Sequence, residues 1–148
     1  GKELVGRCGL YCGACSIYIA ERFSPSMRER IAAGAKCLPE QVRCNGCGAL
    51  TPECWGNGCK IVICTNERGH GSCHECEEFT SDTCEKFGRI SKGYLEEGVD
   101  LKDNLRRISS GATDVWLDEN RRRFTCKSCG GALTVHNDEC PQCQVKWR

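Results

Sequence analysis

Five cysteine pairs, each of the form C-x2-C, punctuate the chain: Cys12/Cys15, Cys44/Cys47, Cys73/Cys76, Cys126/Cys129 and Cys140/Cys143. Such a pair sets two thiolates on one tight turn, as a tetrahedral metal requires. Sixteen cysteines occur in 148 residues, and twelve of them lie between Cys8 and Cys84. This ladder opens at Arg7-Cys8-Gly9-Leu10-Tyr11-Cys12-Gly13-Ala14-Cys15, a C-x3-C-x2-C run. Leu, Ile, Val and Phe together number only 27, a lean supply for an apolar core. The net charge of +1 does not suit a disordered chain. Something besides apolar burial must close the fold, and small domains use metals or disulfides for this.

Metal is the reading preferred over disulfide. The C-x2-C pairs favour it, and glycine follows two of them, at Gly48 and Gly130, where a knuckle can need positive φ. No apolar leader precedes Cys8, so the expectation is a reducing, cytoplasmic location. No apolar run approaches the ~20 residues needed to span a bilayer. Residues 1–85 carry 9 basic and 11 acidic side chains, and metal-bound thiolates would make this half strongly acidic.

The sequence predicts a small metal-dominated fold of short helices and loops, ending in a zinc ribbon with β-hairpin knuckles. Three segments are expected: a multi-metal domain over 1–85, a helical connector packing on it over 86–123, and the ribbon over 124–148. Helices are predicted from the Cys12/Cys15 turn to Phe23, and from Pro25, capped by Ser24, to Gly34. Cys37 to Cys84 reads as short loops. Further helices are predicted over Lys86–Tyr94, from Asp100 along the Leu101, Leu105 and Ile108 stripe, and from a Thr113 cap to about Arg123.

The strongest motif is at the C-terminal end. Cys126-Lys-Ser-Cys129 and Cys140-Pro-Gln-Cys143, ten residues apart, are the two knuckles of a ribbon. His136 reads as a turn residue, because four cysteines already fill a shell. The twelve front cysteines divide by adjacency into three quartets: Cys8, Cys12, Cys15 and Cys37; Cys44, Cys47, Cys54 and Cys59; Cys64, Cys73, Cys76 and Cys84. Four zinc sites in all is the resulting expectation. His70 and His74 are near enough to stand in for a cysteine. An Fe–S cluster in the front ladder is the alternative, since thiolates serve both metals.

Catalytic motifs are thin. C-x3-C-x2-C is also the spacing of radical-SAM enzymes, but those need a barrel of more than about 200 residues. No phosphate-cradling loop, HExxH or hydrolytic triad is visible. Arg121-Arg122-Arg123 could mark a nucleic-acid contact. The preferred reading is a solvated helix end, where cations suit the dipole.

Cys8-Gly-Leu-Tyr-Cys12-Gly-Ala-Cys15, Cys44-Asn-Gly-Cys47, Cys59-Lys-Ile-Val-Ile-Cys64 and Cys73-His-Glu-Cys76-Glu-Glu-Phe resemble a cysteine-rich prokaryotic zinc-binding family of unknown function. The likeness extends through Gly98–Ile108, Trp116-Leu and the ribbon. One departure is Thr83, where many relatives place proline before the cysteine. The resemblance implies a metal-binding protein and brings no reaction with it. The sequence therefore points to a non-enzymatic interaction or regulatory protein whose partner is another protein. Nucleic acid is disfavoured as a partner, and a membrane is not expected.

Overall fold

Local capping signals account for most of the regular structure in the computed structural model, which describes residues 1–148. A 3₁₀ turn at Cys12–Ala14 leads into α1, Ser16–Phe23, with Cys15 at its N-cap. Ser24 Oγ then accepts from the Met27 N–H at 3.3 Å, and Pro25 takes the first position of α2, Pro25–Ala35. The helix passes through Gly34 and ends instead at Lys36, which is left-handed at φ 55°. Here α1 packs on α2 around Ile19, Ala20, Met27, Ala32 and Val42.

The stretch read as loops contains a helix, α3, Lys60–Arg68. Ile61, Val62 and Thr65 form its buried face, and Gly69 terminates it at φ 72°. Next come α4, Glu77–Thr80, and α5, Glu85–Glu96. Asp100 caps α6, Leu101–Ser109, accepting from the Asp103 N–H at 3.0 Å. α7 spans Thr113–Arg123 with Ala112 at the cap, so Thr113 lies inside the helix. No helix is long and apolar enough to cross a membrane.

No β-strand forms. The hairpins expected of a ribbon are reduced to two isolated antiparallel bridges, Thr125↔Ala132 and Glu139↔Lys146. The segment between the knuckles spends its polar groups elsewhere. The Val135 N–H and the Thr134 hydroxyl both donate to Ala14 O at 3.0 Å. The C-terminal unit is thus tied to the 3₁₀ turn beside Cys15 rather than zipped to itself.

One apolar core draws on all three sequence segments. It joins Leu10, Tyr11, Ala14, Ile61 and Cys73 to Phe87, Leu101, Leu105 and Trp116, and to Phe124, Leu133, Val135 and Cys140. Tyr11 meets Trp116 edge-on at 6.3 Å and stacks on Phe124 at 6.2 Å. The close fit depends on Gly9, at φ 91°. A Cβ there would sit 2.7 Å from Leu101 O and 2.9 Å from Leu105 Cγ.

Candidate metal centres

The ladder repeats one backbone device. Cys15, Cys59, Cys76 and Cys84 each occupy the N-cap of a helix, α1, α3, α4 and α5. In the first three cases a 3₁₀ turn precedes the helix. Helix N-termini favour anionic sulfur, because free N–H groups and the dipole face it. At Cys84 the contact is explicit: the Phe87 N–H donates to Sγ at 3.4 Å.

In the C-terminal unit, Cys126, Cys129, Cys140 and Cys143 bring their sulfurs within 4.8 Å of one another and can hold a metal ion. Cys126 and Cys143 sulfurs are 3.7 Å apart, and Cys129 and Cys140 sulfurs 3.6 Å. A tetrahedron with 2.3 Å metal–sulfur bonds has an edge of about 3.8 Å. Both knuckles close with positive φ, 76° at Gly130 and 61° at Gln144. The Gly131 N–H donates to Cys129 Sγ at 3.4 Å. Backbone N–H groups of Cys129 and Ser128 hold the Cys126 thiol down, to about 6. The Gly131 N–H draws Cys129 the same way, but burial and its crowding by Cys140 carry it up to about 12. The four thiols therefore do not ionise together unless a cation compensates them.

In the front ladder the structure brings members of the first two quartets together. The Cys47 N–H donates to Cys12 Sγ at 3.4 Å, across 35 residues. The proximity of the two thiols drives Cys12 up and holds Cys47 down to about 6. Cys8, pushed up to about 12 by burial, feels the charges of Cys47, Cys59 and Cys73. Cys15 feels Cys47 and Cys59 as well. Cys54 Sγ accepts from the Thr51 N–H at 3.3 Å, with Cys44 nearby. Cys37 packs against the small α1–α2 core. Chain crossing, not spacing, brings Cys12 and Cys47 together.

Cys64, Cys73, Cys76 and Cys84 do share one cavity, with His70 at its edge. His74 is absent from that lining. His136 lies in a turn, its ring 5.8 Å from Tyr94, and no ligand set includes it. In the arginine run only Arg123 reaches another segment, donating to Gly98 O at 2.7 Å, while Arg121 and Arg122 are exposed and share Asp118 of their own helix.

A family model described as "Protein of unknown function (DUF3795)" matches residues 4–89. That span holds all twelve front cysteines and stops before α6, α7 and the C-terminal knuckles. No curated protein and no solved structure matches the chain.

Proposed function

The chain belongs to the DUF3795 family, which carries no assigned reaction, and from that premise we propose a metal-binding protein with a structural zinc at Cys126, Cys129, Cys140 and Cys143. The observation that carries this is the set of four sulfurs within 4.8 Å, at edges of 3.6 and 3.7 Å. Four protein ligands close the shell and leave no open position for a substrate, as structural zinc sites do. The zinc then ties the C-terminal knuckles to the core through Cys126 and Cys140, both buried there.

The rest of the reading extends the expectation drawn from the sequence. The protein acts as a cytoplasmic interaction or regulatory module and meets another protein rather than nucleic acid. Support comes from the acidic side chains interspersed with Arg121, Arg122 and Arg123, of which Asp118 already pairs with the first two. Iron–sulfur chemistry in the front ladder is the second reading. Its support is the cavity that Cys64, Cys73, Cys76 and Cys84 line together.

Metal analysis of protein purified without oxygen tests the zinc site. Wild type should carry zinc, and Cys126→Ser should lose one equivalent per chain. A Cys126→Ser chain with undiminished zinc would exclude the ribbon as the site.

A further inference from the structure

Four of the front thiols surround a cavity that the C-terminal knuckles do not explain. Cys64 comes from α3, Cys73 and Cys76 from the turn before α4, and Cys84 from the N-cap of α5. They converge from three elements spread over twenty-one residues of sequence. Ile61, Phe79 and Phe87 supply the apolar wall, with the two phenyl rings edge-to-face at 5.2 Å.

Two of the sulfurs have donors aimed at them. Arg68 Nη1 donates to Cys76 Sγ at 3.3 Å, and the Phe87 N–H to Cys84 Sγ at 3.4 Å. Lys86 adds a second cation to the lining. Donors aimed at ligand atoms in this way orient them and offset their charge. Cys73 is buried in the main core, and its N–H is bonded to Arg7 O at 2.9 Å. One wall of the cavity is thereby fixed to the N-terminal loop.

Spacing argues against a single zinc held as at the knuckles. The C-terminal knuckles are the one place where three or more such ligand atoms lie within 4.8 Å of one another. Sulfurs set wider than that cannot all reach a single zinc at about 2.3 Å without moving. In a cubane each thiolate binds a different iron, so four thiolates span a larger figure around the same centre. We propose that Cys64, Cys73, Cys76 and Cys84 ligate one [4Fe–4S] cluster. The site is separate from the zinc of the knuckles, so either assignment can fail alone. Thiolate ligation makes the cluster anionic, and Arg68 and Lys86 face that charge.

The test uses the full chain, produced with iron and purified without oxygen. Iron, acid-labile sulfide and zinc are counted per chain, and the cluster is titrated with dithionite while its electron paramagnetic resonance is followed. Wild type should contain iron and sulfide in equal amounts, at least about four of each. Cys64→Ala is the mild variant, because position 64 is inside α3 and alanine is the best helix former. Its iron should fall, by one if a three-iron form persists and by four if no cluster remains, while its zinc stays unchanged. Wild type without acid-labile sulfide, or Cys64→Ala with its full iron, overturns the proposal. Should Cys64→Ala precipitate, Arg68→Met decides. It should keep the iron and shift the reduction potential to more negative values, since a donor that favours the more anionic reduced state is gone. A potential equal to wild type would overturn the placement of the cluster against Cys76.

Discussion

Gln144 occupies a position whose backbone suits glycine better. Its φ of 61° matches the left-handed turn that Gly130 makes at φ 76° after the other knuckle. Gln144 recovers part of the cost through Nε2, which donates to Pro141 O at 3.3 Å and Gln142 O at 3.2 Å. The two positions should therefore respond oppositely to substitution. Gly130→Ala should cost about 1–2 kcal/mol, the usual penalty for an L-residue in this conformation. Gln144→Gly should be neutral or stabilising by no more than about 1 kcal/mol. Denaturant midpoints at fixed zinc would show both signs. The thiol at Cys126 has its own signature in pH. Held down to about 6, it is ionised at neutral pH and needs no deprotonation to bind metal. Below about 6 it must release a proton too. Affinity for zinc should then fall with acid by a further tenfold per pH unit, because one more proton is displaced per ion. A competition titration from pH 8 to pH 5 should show this break near pH 6.

At the scale of elements, capping chemistry carries measurable stability. Asp100 Oδ1 satisfies the Asp103 N–H at the start of α6. Asp100→Ala should cost about 1 kcal/mol, while Asp100→Asn should cost little, because asparagine caps equally well. Equal losses in the two variants would mean that the charge, not the cap, is what α6 uses. These helix starts were legible because the cap and the stripe are local: Ser24-Pro25 before Met27, and Asp100 before Leu101 and Leu105. By contrast, α3 was missed. Its inward face is only Ile61, Val62 and Thr65, too short a stripe to stand out among cysteines. What holds α3 in place is distant, since Ile61 joins a core with Leu10 and Trp116. The C-terminal knuckles were legible for the same reason as the caps, because each Cys-x2-Cys turn is complete within itself. The front partition was not, because Cys12 meets Cys47 only after the chain has crossed over itself. The missing hairpins have a similar cause: Thr134 and Val135 turn to Ala14 instead of to a neighbouring strand.

The larger of the molecule's two apolar clusters spans front, middle and C-terminal segments, and that changes what metal removal should do. Spacing alone suggests a C-terminal unit that loads and unloads by itself, leaving the front ladder intact. Yet Leu133, Val135 and Cys140 lie in the same cluster as Leu10, Ile61 and Phe87, with Trp116 at the centre and fully buried. Arg148 adds a strap across the segments, pairing with Glu97 at 2.6 Å and donating to Val135 O at 2.9 Å. A structural zinc contributes on the order of 10–16 kcal/mol in small peptides, against about 5–15 kcal/mol for the stability of a domain. Loss of the metal from Cys126, Cys129, Cys140 and Cys143 should therefore loosen the shared core and not only residues 124–148. Stepwise chelation, followed by tryptophan fluorescence, near-ultraviolet circular dichroism and zinc release, should show Trp116 becoming solvent-exposed in the same step that empties the knuckles. Helical signal from α6 and α7 should fall with it. Zinc release at constant Trp116 signal would instead mean that the knuckles fold on a core that stands without them, and that Cys126 and Cys140 only cover its edge.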